Sequence, residues 1–372
     1  MKEMITAKDL SFITSRTKEL LSLCVAETPD GIKVYRPDCS GRYPAVWTRD
    51  FAYMVEYAGD LFDPQDIKKC LEYIISNAHA EEGWIPDWVR ADGTVTYGFN
   101  RCEFPKGPLL DNGPFLVIAV DEYLKIDKEN ADLNFEKWCD TLCRGLDWLT
   151  LNSDGLITVA EDDLHVGYGF TDTIKKTGAL AMESLLLWRA ARILSERLKP
   201  YGKDGKYRDM ADRIEASFLD TFSTDSGMIL AATGRCKKID VWASCYMLSI
   251  GFPVAEERRR SIAKWLTDHY SGIVEHGQVR HLKEGEYWDS VYLDYERDTY
   301  QNGAFWPVAS GWLYDALKDH NESLALETIR SVLDYYEKYG IFECVCGEYR
   351  KLDGYVVSAT NVYDTVKRIL RS

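Results

Sequence analysis

The chain is 372 residues long, 46% hydrophobic and 28% charged, with 45 Lys and Arg against 60 Asp and Glu for a formal net charge of −15. Such a balance argues against nucleic acid or an anionic membrane as a partner, because both need a concentrated basic surface. No apolar run approaches the roughly 18 residues of a membrane span, and the opening MKEMITAKDLSF lacks the apolar core of a signal peptide. From there, helical periodicity predicts segments at 7–25, 50–59, 64–79, 114–126, 133–151, 176–197, 206–222, 240–249, 255–270, 299–317, 322–338 and 359–370. Strand-like pieces are short (IKVYR, LITVA and GMILA), each beside a turn signal. Strands and helices do not alternate, which argues against a parallel α/β sheet.

The connections come in two kinds. LFDPQD and KDHNE suit plain helix hairpins, whereas 80–113, 152–175 and 271–298 are long and rich in Trp, Tyr, Asp, Glu and Gly. Long loops inside a compact domain are usually functional. If these loops share one face, twelve helices in six hairpins form a single all-α domain over 1–372, an (α/α)6 barrel with a decorated cleft.

Ten cysteines fall mostly within helix-like apolar patterns, and Cys344-x-Cys346 is not the spacing of a zinc knuckle. They read as reduced, mostly buried thiols of a cytoplasmic protein. The six histidines show no metal-ligand spacing, and no G-x-S-x-G, G-x-x-x-x-G-K or H-E-x-x-H occurs. No metal or cofactor is expected. Aromatic usage is high, with 11 Trp, 23 Tyr and 13 Phe. Rings beside Asp, Asn and Gly in loops suit carbohydrate, which presents apolar C–H faces and hydroxyl edges.

Three stretches in order, WTRD opening a helix at 47–50, YQNGAFWPVASGWL at 300–313 and IFECVCGEY at 341–349, resemble the six-hairpin glycosidases, a group that includes glucoamylases, trehalases and processing α-glucosidases. The resemblance implies an exo-acting, inverting glycoside hydrolase taking an oligosaccharide. It implies that Arg49 and Asp50 bind the sugar on the non-reducing side of the scissile bond, with Trp47 as an apolar face. On the residues alone, Thr48 or Asp50 can also cap the helix that follows. Arg49→Ala and Asp50→Ala are then expected to weaken sugar binding with little loss of stability.

Glycoside hydrolysis needs two carboxyl groups. The resemblance points to an acid near GYGFTDTIKKTG and a base about forty residues after YQNGAFWP, hence Asp172 as general acid and Glu343 as general base. Phe170 and the glycines around Asp172 would desolvate it and raise its pKa; a helix cap is the plain alternative. Glu161, Asp162 and Asp163 compete for the acid role, and Glu348 for the base.

Asp111 and Asn112 precede an apolar helix and read as its cap or as hydroxyl binders. Gln301 and Asn302, with Tyr300, Phe305 and Trp306, can read hydroxyls without bringing charge. Asp240 and Trp242 stand at another helix mouth, and His281, Glu286, Tyr287 and Trp288 can form a rim. Two other readings keep the barrel: a sugar epimerase or isomerase using paired histidines, for which His165 and His281 are the loop candidates, and a carbohydrate-binding protein without the acids.

Overall fold

The computed structural model describes residues 4–371, and its helices are α1 (Ala7–Leu23), α2 (Thr48–Ala58), α3 (Pro64–Ser76), α4 (Asn112–Ile126), α5 (Ala131–Asp147), α6 (Ala181–Leu198), α7 (Gly205–Phe222), α8 (Val241–Ser249), α9 (Glu256–Asp268), the single turn α10 (Tyr270–Ile273), α11 (Ser310–Leu317), α12 (Glu322–Tyr339) and α13 (Val356–Ile369). Six of them close a ring: α2 packs on α4, α4 on α6, α6 on α8, α8 on α11, α11 on α13, and α13 back on α2. The chain alternates between this inner ring and an outer one made of α1, α3, α5, α7, α9 and α12. This is the (α/α)6 barrel.

Sequence decides which helix goes where. Inner α4 and α8 are apolar nearly all round, and α8 buries every residue from Val241 to Leu248. Outer helices carry one stripe. α3 buries Ile67, Cys70, Leu71 and Ile74, and α7 buries Tyr207, Ala211, Ile214, Phe218 and Phe222, the three-and-four spacing of one helix face.

Because the rings run antiparallel, loops entering the inner helices lie on one face and loops leaving them on the other. The leaving loops are short: 59–63, 127–130, 199–204, 250–255 and 318–321. The entering ones, 24–47, 77–111, 148–180, 223–240, 274–309 and 340–355, carry all the β-structure. It comprises a three-stranded patch of Val46–Trp47, Trp88–Val89 and Val95–Thr96, and four two-stranded pairs, the longest joining Phe342–Cys346 to Tyr349–Asp353. The long loops predicted from sequence do converge on one face, joined by three shorter ones.

Two helix starts move. The segment expected from 176 begins at Ala181, because Gly178–Ala179 pair with Thr158–Val159. The segment expected from 299 begins at Ser310. Residues before it are held extended, Phe305 against Val345 and Trp306 against Val279, and Pro307 then opens a short 3-10 turn. GMILA forms no strand, only isolated bridges such as Ser223 to Ile229. All ten cysteines are unpaired thiols, and no helix among the described residues is long and apolar enough to cross a membrane.

The crossing of α4 and α5 is set by glycine. A Cβ on Gly113 would stand 2.0 Å from the carbonyl oxygen of Gly145, a backbone atom that cannot swing aside. Gly113→Ala should therefore lower stability by about 1–3 kcal/mol, read as a lower urea midpoint at an unchanged slope. An unchanged midpoint would mean that the two helices separate without cost.

Candidate active site

The N-terminal ends of the inner helices and their entering loops surround a narrow cavity of about 40 Å³. Trp47, Arg49 and Asp50 line it from the start of α2, Gly169, Phe170 and Asp172 from the loop before α6, Tyr300 from the loop before α11, and Glu343 and Tyr355 from the loop before α13. Pro37 and Tyr43, from the loop before α2, complete the wall. A larger open cleft of about 550 Å³ adjoins it and shares Tyr43, Trp47, Asp172 and Tyr300.

Arg49 is 3% exposed and ion-paired to two aspartates. Its Nη2 donates to Asp87 Oδ1, and its Nε donates to Asp111 Oδ2 at 3.2 Å. Asp111 Oδ2 also accepts the backbone N–H of Gly169 at 2.7 Å. A side chain at Gly169 would collide with Arg49, since a Cβ there falls 1.8 Å from Nε; this explains one glycine of GYGF. Burial opposes the charge on Arg49, but Asp87, Asp111, Asp50 and Asp172 together carry its pKa well above normal. Burial also pushes Asp87 up to about 6, against the pull of Arg49.

Asp50 does not cap α2. The helix starts without a side-chain cap, Thr48 Oγ1 donates to the carbonyl of Pro86 at 2.6 Å, and Asp50 Oδ1 accepts the Tyr355 hydroxyl. Burial lifts Asp50 to about 7, opposed by Arg49 and that hydrogen bond.

Asp172 likewise caps no helix; it ends the 3-10 turn Gly169–Thr171. Gln301 Nε2 donates to its Oδ1 at 2.9 Å, while Gln301 Oε1 accepts from Thr173 N and Oγ1 at 2.9 and 2.6 Å. The carboxyl keeps some surface open to the cavities although protein surrounds it, and this burial raises its pKa to about 7, with Arg49 and Gln301 pulling the other way. Lys176, close in sequence, is turned away to Glu183 at 2.7 Å.

Glu343 is 2% exposed and sits on the hairpin Phe342–Cys346. Tyr43 donates its hydroxyl to Oε1 at 3.0 Å, and Lys351, across the hairpin, forms an ion pair with Oε2 at 2.9 Å. Burial raises the Glu343 pKa, with Lys351 and the Tyr43 hydrogen bond working against it. Lys351 Nζ also lies over the Tyr300 ring. Tyr300 has φ of 42°, a left-handed conformation uncommon for an aromatic residue and characteristic of functional positions.

The competing carboxyls lie elsewhere. Glu161 pairs with Arg235 at 2.7 Å on the surface, the Asp163 side chain is 80% exposed, and the Glu348 side chain points fully into solvent. Asp162 shares the surface hollow of Glu161 and Asp163. Several predicted binding residues stand behind the wall. Asp111 and Asn112 are buried at the start of α4, Asn112 Nδ2 reaching the Ile85 carbonyl at 3.4 Å. Trp242 and Trp306 are buried, donating to the carbonyls of Val279 and Tyr300 at 3.1 and 3.4 Å. Asn302 Nδ2 holds the Tyr295 carbonyl at 2.8 Å, and Asp240 caps α8. Gln301 touches the site through Asp172. Neither His165 nor His281 lines the two cavities; His281 is stacked on Trp242 with centroids 3.8 Å apart. Sequence reasoning missed Pro37, Tyr43, Asp87, Lys351 and Tyr355. Asp87 lies in the ring-rich loop GWIPDWVRADG, a usable signal; the others gave none.

No protein-family model and no curated protein matches the chain. Solved structures do. A GH63 mannosylglycerate hydrolase from Thermus thermophilus, in complex with glucose, is 13% identical with a TM-score of 0.70 over 95% of this chain and 99% of its own. The same enzyme with Tris and D-glycerate gives 15% and 0.64 over 94% and 99%. A rhamnosidase from Klebsiella oxytoca with rhamnose bound gives 14% and 0.69 over 97% of this chain and 64% of its own. At these identities the likeness is one of fold, the six-hairpin barrel.

The geometry changes one expectation. Arg49→Ala would strand Asp87 and Asp111 as buried, uncompensated carboxyls, which typically costs about 3–5 kcal/mol. The variant should therefore unfold at clearly lower urea, contrary to the small loss expected of a solvent-facing arginine. Unchanged stability would mean that the two carboxyls find other partners.

Proposed function

We propose that the protein is an inverting, exo-acting glycoside hydrolase, with Asp172 as general acid and Glu343 as general base. One observation carries the reading: both carboxyls line one ring-lined cavity, and Asp172 alone of the two also faces the open cleft. In this reading the sugar ring occupies the cavity, and the leaving group emerges past Asp172. Kinship of fold with hydrolases that hold glucose, glycerate and rhamnose supports the substrate class.

In the reaction Asp172 donates its proton to the glycosidic oxygen as the bond from that oxygen to the anomeric carbon breaks. Glu343 takes a proton from a water whose oxygen bonds to the anomeric carbon from the other face, inverting it. Gln301, donating to Oδ1, orients the Asp172 carboxyl. Tyr43 and Lys351 hold Glu343 in one position, and Lys351 favours its ionised form, which a base requires. Asp50 and Arg49, with Trp47 and Tyr355 beside them, form the floor that receives the sugar. The deep burial of Arg49 and Asp50, 3% and 4% exposed, at the sugar end of the cavity supports an exo mode.

Replacement should separate the two roles. Asp172→Asn should lose far more rate on natural glycosides than on aryl glycosides with good leaving groups, and should retain activity on a glycosyl fluoride, which needs no acid. Glu343→Gln should fail on all three. Product anomers followed by NMR should be inverted; retention, or full activity in either variant, would overturn the assignment.

The pH profile should be a bell. The alkaline limb is expected near 7, because Asp172 must be protonated and its pKa is about 7. The acid limb reports ionisation of Glu343, whose pKa lies above its ordinary 4.5. Lys351→Met removes the cation that favours ionisation of Glu343 and, to a smaller extent, of Asp172, so it should move the acid limb clearly to higher pH and the alkaline limb less far in the same direction. Movement of the alkaline limb alone would reverse the assignment.

A further inference from the structure

The open cleft has a character of its own. Trp47, Phe99, Phe104, Tyr295 and Tyr349 wall it, with Phe99 and Phe104 stacked at 4.1 Å between centroids. Flat faces at this density suit another ring. Its charge runs against that of the chain, which is −15 overall. The lining holds four cationic residues, Arg42, Arg101, Arg350 and Lys351, and one acidic residue, Asp172.

Two of the four are occupied: Lys351 by Glu343 at 2.9 Å, and Arg350 by the Tyr335 hydroxyl at 3.0 Å. The other two are held less firmly. Arg42 has no carboxylate in ion-pair range among the described residues, its backbone N–H alone going to Asp38 at 3.1 Å. Arg101 has exposed Glu103 at 3.6 Å from Nε. Both residues line the same cleft as Tyr295, Arg42 from the loop before α2 and Arg101 from the loop before α4. An exposed arginine is ordinarily just solvated. Here two line one cleft beside rings, on the side of Asp172 where a leaving group must emerge.

We infer that the cleft selects an acidic sugar as leaving group, a ring whose carboxylate is held by Arg42 and Arg101 while its face lies on the aromatic wall. Guanidinium suits this task because its planar fork grips a carboxylate with two hydrogen bonds. The inference rests on the glycosidase reading, since the cleft is the leaving-group side only if Asp172 is the acid.

The test compares para-carboxyphenyl with para-carbamoylphenyl α-glucosides, α-mannosides and α-rhamnosides, which differ in charge at nearly constant shape. The wild type should prefer the acid over the amide, and the double variant Arg42→Gln/Arg101→Gln should lose about tenfold of that preference, the scale expected of two exposed charge contacts. Raising salt should erode the wild-type preference in the same direction. An equal acid-to-amide ratio in both proteins overturns the inference and leaves the glycosidase reading intact. Hydrolysis of no glycoside, including glycosyl fluorides, overturns that reading instead. Binding then decides the inference without turnover: D-glucuronate, followed by tryptophan fluorescence against D-glucose, should bind the wild type more tightly than the double variant. Equal binding to both sinks it.

Discussion

The cavity depends on a guanidinium shut away from water. Arg49 spans Asp87 from one entering loop and Asp111 from the mouth of α4, and Asp111 in turn holds the backbone of Gly169. Three segments far apart in sequence are thereby tied at one point beneath the cavity. Burying such a cluster is costly unless every charge has its partner, so the arrangement is nearly all-or-none. The absence of a side chain at Gly169 is part of the same constraint, because Arg49 fills that volume.

Around this clamp the acids are crowded and dry. Burial is the largest influence on Asp50, Asp87, Asp172 and Glu343, and in each case it raises the pKa. Such groups would be better solvated in an unfolded chain, so the site is held against a stability cost that the apolar barrel around it offsets. The two cations deepest in the site, Arg49 and Lys351, divide the labour. One sustains the floor, and the other steadies the single carboxylate that the proposed chemistry needs ionised.

Much of the fold was legible because it rests on periodicity. Apolar residues on every side of α4 and α8, against a single stripe on α3 and α7, already separate inner from outer helices. The errors came where pairing between distant segments overrode local pattern. Residues 299–306 look helical by spacing, yet Phe305 and Trp306 are claimed by Val345 and Val279. Lys176–Leu180 also fit a helix pattern, but Gly178–Ala179 are claimed by a partner strand.

The site divides the same way. Trp47, Arg49, Asp50, Asp172 and Glu343 stood out because charged or aromatic residues at helix mouths and between apolar neighbours are locally anomalous, and all five line the cavity. Asp111, Asn112, Trp242, Gln301, Asn302 and Trp306 carry the same anomaly but face inward as supports. Tyr43, Lys351 and Tyr355 are unremarkable in their local sequence, and they reach Glu343 and Asp50 from 300, 8 and 305 residues away along the chain. Sequence alone determined the run of helices, the two kinds of connection between them and the placing of long, ring-rich loops before three of the inner helices, since these are local properties of composition and period. Tertiary structure decided which polar residues face the cavity and which hold up its wall, because that depends on partners the chain supplies only once the barrel has closed.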